Sequence, residues 1–426
     1  MVRYLPVVTA LSTALAGCTE EAETTSALDS EVTLAFHREH VTADIYHYEL
    51  VLPVGSGPNA GLRVHRVVRE IAPFVPRTSS RAVMMMHGDF ATFVTSFVPT
   101  LGEPASPARG LAPYLAAKNL DVWGLDRRWT LPAADGDISD LATMGVAQEV
   151  DDIRVALAFA RATRLATGSG GDKLALLGFS HGAQLAYTYA AVEGGKPAAQ
   201  RHVSALVPLD WYGALDPSQT ELRDLTCENS AFEYQLVADG VIDSPNDFFI
   251  TLGELARSAP SDPSPLLGGL TNRGAMLFTL GQTYAFAPFA PFYHLLSPII
   301  VNDEATGLRE TAEPAATAWI AGAPPHQSML EAADLDALLC PSAAQPVDAR
   351  LSKIRVPLFY IGAAGGVGSL GLYATTQTSS TDVRTLVVNR FGAARRAEDF
   401  GHGDLLFAND APSLVWQPLA TWLAQH

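Results

Sequence analysis

Basic residues are scarce in this chain. Lys and Arg number 28 against 45 Asp and Glu, leaving a net charge of −17 over 426 residues. That balance opposes phosphate backbones and anionic membranes, and it argues against nucleic acid as a partner. Charge of either sign is sparse, at 17% of residues, which excludes a disordered or coiled-coil protein. Internal repeats, heptads and low-complexity tracts are missing as well. Cysteine is rare: three residues allow at most one intramolecular pair. What the chain does have is apolar content, 48%, and a length sufficient for one large domain or two ordinary ones around a sizeable core.

The N-terminus reads as an export signal. Arg3 supplies a short positive region, and residues 4–16 form an apolar stretch of signal-peptide length, too short to span a bilayer as a mature helix. Leu15-Ala16-Gly17-Cys18 then resembles the lipobox of bacterial lipoproteins, in which the cysteine thiol is lipidated and becomes the new N-terminus. The resemblance implies a signal peptide over residues 1–17 and an acidic, polar tether over 18–30. It also implies an exported protein of the bacterial cell envelope, held at the outer membrane or cell surface through a lipid anchor. With Cys18 taken by lipid, Cys227 and Cys340 remain in a compartment that permits a disulfide.

Further along, strand-like and helix-like segments alternate. Residues 82–86, 120–125, 173–177, 203–209, 357–361 and 383–388 read as strands. Helices are expected over 107–118, 181–193 and 412–425. A further helix is marked by the apolar spacing of Val146, Val150, Ile153 and Leu157. This rhythm predicts a mostly parallel sheet covered by helices on both faces. Upstream, 32–38, 46–52 and 62–70 read as strands of an initial antiparallel portion.

Three motifs carry chemistry. Gly178-Phe179-Ser180-His181-Gly182 is G-x-S-x-G at a strand-to-helix turn. There the serine oxygen stands exposed above the sheet, and the helix N-terminus faces any developing negative charge. The apolar strand 82–86 ends in His87-Gly88-Asp89-Phe90. Near the C-terminus, Gly401-His402-Gly403 follows the last strand, and an imidazole there can take the serine proton and return it to a leaving group.

Together these segments resemble the α/β-hydrolase superfamily, of serine esterase and lipase type, over residues 80–210 and 353–426. The chain order Ser…His fits that fold and not the chymotrypsin or subtilisin orders. The resemblance implies Ser180 as nucleophile and His402 as general base. Backbone N–H groups of Asp89 (with Phe90 as rival) and His181 would form an oxyanion hole. The side chain of Asp89 is not needed for that role, and His181 points elsewhere.

The acid is harder to assign. Most members carry it after the strand preceding the histidine loop, but residues 362–371 contain no carboxylate. A minority carries it one strand earlier, where Asp210 ends the 203–209 strand on the active-site edge. Asp210 is therefore preferred. Asp382 precedes the last strand, at the opposite edge, and Asp216, Asp399 and Asp126 remain open. Within the acid-free loop, 366–371 matches G-x-G-x-x-G after a strand. The ribose-binding acid expected at the end of the next strand is absent, where Asn389-Arg390 stand, so a close-packed turn beside the active site is the better reading. His37, His40 and His47 lack a matching carboxylate set, so no metal is expected, and no cofactor is implied.

Residues 211–352 break the sheet rhythm and are rich in Pro, Ala and aromatics, notably over 284–294. Insertion here divides the catalytic body into 31–210 and 353–426. It is also where the superfamily places a mainly helical cap, before the penultimate strand; His294 and His326 fall inside it. The expected substrate is a small-molecule ester with an apolar acyl group. A non-catalytic binder on the same scaffold and an acyltransferase are the alternatives. Expression in a bacterial host tests the leader: the protein should be membrane-associated and begin at lipidated Cys18. Cys18→Ser should be soluble or unprocessed; full membrane association of that variant at unchanged mass would refute the lipoprotein reading.

Overall fold

Ala82–Met86 is buried at every position, as are Asp121–Leu125, Leu174–Phe179 and Leu358–Ala363. Runs without polar alternation belong to central strands covered on both faces. In the computed structural model, which describes residues 36–99, 110–286 and 293–426, they form the middle of one sheet. The strands in chain order are β1 (Phe36–Thr42), β2 (Ile45–Pro53), β3 (Gly61–Ala72), β4 (Val75–Pro76), β5 (Ala82–Met86) and β6 (Asp121–Leu125). They continue with β7 (Leu174–Phe179), β8 (Val203–Leu209), β9 (Pro298–Val301), β10 (Glu304–Leu308), β11 (Leu358–Ala363) and β12 (Val383–Val388). Their order across the main sheet is β1-β2-β3-β6-β5-β7-β8-β11-β12, with β4 pairing only β3. From β6 to β12 all pairings are parallel, while β1, β2 and β3 join antiparallel.

Alternation along each strand divides the core into two layers. Val83, Met85, Ala175 and Leu177 face one apolar cluster with Leu111–Ala117 and the C-terminal helix Gln417–Leu423. Met84, Met86, Leu174 and Leu176 face the other, with Val146–Ala166 and His181–Gly194. Register then fixes what emerges at one edge. Met86 lies opposite Gly178, and Phe179 and Ile361 both lie opposite Leu209. The Ser180 N–H donates to the Leu209 carbonyl at 3.0 Å, and the Asp210 N–H to the Ile361 carbonyl at 2.7 Å. The segments after β5, β7, β8 and β11 therefore leave the sheet side by side.

Between β8 and β11 the chain builds helices Thr220–Ala238, Asp247–Ser258, Asn272–Gly281, Glu313–Ala321 and Met329–Leu339. One feature of this insertion went unanticipated: β9 and β10 form a separate two-stranded sheet. Its turn residues, Asn302 and Asp303, both adopt positive φ, 51° and 64°, as a tight hairpin turn requires. The signal peptide, the tether and Cys18 lie outside the described residues, as do 107–109 of the expected helix and 287–292 of the aromatic stretch.

The insertion's base is cross-linked. Cys227, on Thr220–Ala238, is bonded to Cys340 at the end of Met329–Leu339, with Cα atoms 4.8 Å apart and a sequence separation of 113. The same helices are tied by Ser230 Oγ to the Ala333 carbonyl at 3.2 Å and Tyr234 to Asp334 at 2.6 Å. Asp334 also accepts the Val146 N–H at 2.8 Å, which joins this base to the sheet's own helical layer. Closing a loop this long is worth up to about 4.7 kcal/mol in the chain-entropy model. Reduction should accordingly lower the melting temperature by several degrees. Thiol titration of denatured, unreduced mature protein should find neither Cys227 nor Cys340 free.

Candidate active site

Ser180 sits at the junction of β7 and the helix His181–Gly194, with φ of 57°. A non-glycine residue held in the left-handed region is strained, and such strain gathers at functional turns. The turn closes because residue 178 has no side chain: a Cβ there would stand 2.0 Å from the Gly182 carbonyl oxygen. Gly88 also comes close from β5, and a Cβ on it would lie 2.7 Å from Ser180 Cβ and 3.3 Å from Ser180 Oγ. The loop after β5 therefore lies directly against the serine. His87 holds that loop. Burial, with the Arg127 guanidinium adding to it, pushes its imidazole down to about 4. The neutral ring donates from Nδ1 to the Gly88 carbonyl at 2.7 Å and accepts the Arg127 N–H on Nε2 at 3.2 Å.

His402 is buried, and its ring stacks on Phe179, the residue before Ser180, at 4.6 Å between centroids. Its Nδ1 donates to Asp210 Oδ2 at 2.8 Å. Asp210 is fully buried and also has positive φ, 47°. Its Oδ1 accepts the N–H groups of Ala363 at 2.7 Å and Gly368 at 2.9 Å, and its Oδ2 that of Val367 at 3.0 Å. The glycine-rich loop after β11 is thus a cradle for a carboxylate from the neighbouring strand. Two of the N–H groups that a nucleotide phosphate would need are already engaged. Gly366 is where the cradle tolerates no side chain, since a Cβ would fall 2.1 Å from Asp210 Oδ2.

The other carboxylates have separate partners. Asp382, at the far edge of the sheet, bonds His426 at 2.9 Å, and Asp216 caps the exposed turn at Ser218. Asp399 accepts the N–H groups of Arg390, Phe391 and Phe400. Asp126 takes the Phe93 N–H at 2.6 Å and lies 3.2 Å from His65 Nε2. His47 bonds His65 at 2.9 Å and is buried, and among the described residues no group of three or more ligating side chains could hold a metal ion.

Sequence reasoning missed several supports. His294 was grouped with the insertion, yet it is threaded through the site's scaffold. Its N–H donates to the Gly365 carbonyl at 2.9 Å, its own carbonyl accepts the His402 N–H at 3.2 Å, and its Nε2 bonds the Asp399 carbonyl. Burial pushes this imidazole down to about 4. Asp404 anchors the histidine loop through the Gly401 N–H at 2.7 Å, the Ser297 N–H at 2.8 Å and the Thr311 hydroxyl at 2.6 Å. Burial nevertheless raises its carboxyl to about 6. Trp211, directly after Asp210, presents its ring to His181 at 4.5 Å and to His402 at 6.0 Å. No local pattern marks these residues.

The side chain of Asp89 is also engaged. It pairs with His181 Nδ1 and accepts from Arg127 at 3.1 Å. Arg127 reaches on to Glu331 of the insertion at 2.6 Å, and Glu331 also accepts the Trp129 indole N–H.

No protein-family model matches the sequence, and no curated protein matches it. Among solved structures, a Sulfolobus solfataricus protein assigned as a lipase superposes with a TM-score of 0.61. The match covers 92% of this chain and 99% of that one, at 14% identity. That superposition, with the sheet order above, decides the architecture. The chain has the α/β-hydrolase fold. A soluble variant of Saccharomyces cerevisiae monoglyceride lipase matches over 95% and 99% of the two chains at 12% identity, with a TM-score of 0.45. An esterase from Thermogutta terrifontis matches over 88% and 98% at 12% identity, with a TM-score of 0.44. Neither of these adds to the argument, and identities this low speak to fold alone.

The geometry distinguishes the carboxylates by experiment. Asp210→Asn should abolish the strongly deshielded proton of the His402–Asp210 hydrogen bond in proton NMR. Asp382→Asn should leave that signal unchanged. The opposite result would reverse their ranking.

Proposed function

We propose that the protein is a serine hydrolase that cleaves carboxylic esters of apolar acyl groups through an acyl-enzyme. The observation that carries this reading is the buried hydrogen bond of 2.8 Å from His402 Nδ1 to Asp210. A carboxylate there only accepts, so the Nδ1 proton is fixed and Nε2 is left to act as base. In the proposed reaction Ser180 Oγ attacks the ester carbonyl while its proton passes to His402 Nε2. The resulting oxyanion is held by the backbone N–H groups of Asp89 and His181. Collapse expels the alcohol, which takes the proton from His402. Water then attacks the acyl-enzyme with His402 again as base, releasing the carboxylic acid and restoring Ser180.

Preference for an apolar acyl group is supported by aromatic side chains beside the oxyanion loop. Phe90 stacks on Phe249 at 4.3 Å and meets Trp319 at 5.5 Å, both supplied by the insertion. On this reading residues 211–352 are a cap over the catalytic body, and Cys18 tethers the enzyme by lipid in the bacterial envelope.

A fluorophosphonate probe should label the wild-type protein and not Ser180→Ala. Against a panel of p-nitrophenyl esters, Ser180→Ala and His402→Ala should each lower kcat by roughly 10⁴- to 10⁶-fold. Both variants should melt near the wild-type temperature. Wild-type turnover by either would remove that residue from the mechanism.

A further inference from the structure

The two residues whose backbones would supply the oxyanion donors are also joined through their side chains. Asp89 Oδ2 pairs with His181 Nδ1. The two segments meet once more by backbone alone, where a Cβ on Gly182 would lie 2.4 Å from the His87 carbonyl oxygen. One contact fixes a point on each segment; a second fixes their spacing and angle. We propose that the Asp89–His181 pair is a clamp that holds the two oxyanion N–H groups at their working separation. The proposal rests on the ester-hydrolase reading and deepens it, assigning positioning roles to two side chains.

The electrostatics agree with that geometry. Burial alone would lower the His181 imidazole, but the Asp89 carboxylate beside it raises it above its ordinary value. Burial alone would raise Asp89, but His181 and Arg127 hold it well below the usual carboxylate range. Each partner therefore favours the charged form of the other, and the contact is a half-buried ion pair. The other groups acting on His181 are Arg127 after β6, which lowers it, and Asp336 on Met329–Leu339, which raises it. Glu233 on Thr220–Ala238 also interacts with both His181 and Asp89. Arg127, braced by Glu331, keeps Asp89 from turning away from its partner.

Donors must be preorganised, because a misplacement of about 1 Å can cost on the order of 10²-fold in rate. A histidine with a raised value keeps the pair intact below that value and loses it as pH rises through it. The wild-type kcat profile should therefore fall on its alkaline side.

The test is kcat and KM against pH for wild type, Asp89→Asn, Asp89→Ala and His181→Gln, each checked for fold by melting temperature. Asp89→Asn keeps an acceptor without the charge, so its alkaline limb should move to lower pH. Asp89→Ala and His181→Gln should lose about 10-fold or more in kcat with KM changed by less than about 3-fold. Wild-type turnover with unchanged kcat and pH limb in any folded variant overturns the clamp alone. No ester turnover by wild type overturns the hydrolase reading and the clamp with it.

Discussion

A carboxylate taken out of water is destabilising by several kcal/mol unless its oxygens find donors. Asp210 is fully buried, and its four hydrogen bonds set the terms for everything around it. Three of the donors are backbone N–H groups, one at the end of β11 and two on the loop after it, which must therefore fold back over the end of β8. That path requires residue 366 to lack a side chain. It also explains why the loop contains no acid of its own: its N–H groups already converge on one from next door, and a second carboxylate there would meet the first at close range. The fourth donor, His402, is thereby fixed in one tautomer.

A second buried network runs the other way, from the body of the protein into the insertion. Arg127 and Glu331 are both almost completely buried and are 2.6 Å apart. Breaking such a pair by removing one member leaves a lone charge in a place without solvent. The insertion is therefore bound to the loops after β5 and β6 by more than shape. Its helix Met329–Leu339 carries Glu331 at one end and the disulfide at the other, so the loop after β5, tied through Arg127, and the cross-linked base share one helix.

The sheet was legible because its central strands are unbroken apolar runs and its turns carry glycine at the needed positions. Ser180 and His402 stood out from motif and chain order. Asp210 was preferred over Asp382 because a minority of the superfamily carries its acid after that strand and because of its sheet edge, and register puts the two at opposite ends of their strands. What could not be read was every contact made across long intervals by residues without a motif. The role of Gly366 depends on a carboxylate more than 150 residues upstream. His294 looked like part of the insertion because sequence position does not reveal which loop a segment returns to. The Asn302-Asp303 hairpin was hidden among helices, though its dipeptide was a usable turn signal.

The hydrogen bonds of Asp210 to the end of β11 and the loop after it span 153 to 158 residues, and that to His402 spans 192. None can form until nearly the whole chain is available, and contacts this distant in sequence slow folding. The Cys227–Cys340 bond lies inside that interval and bypasses 113 residues of it. Once it has formed, the stretch between the acid and its cradle shortens to about 40 effective residues, which lowers the entropy of bringing them together by roughly 1 kcal/mol. Formed early, the bond would be a shortcut along the assembly path of the site.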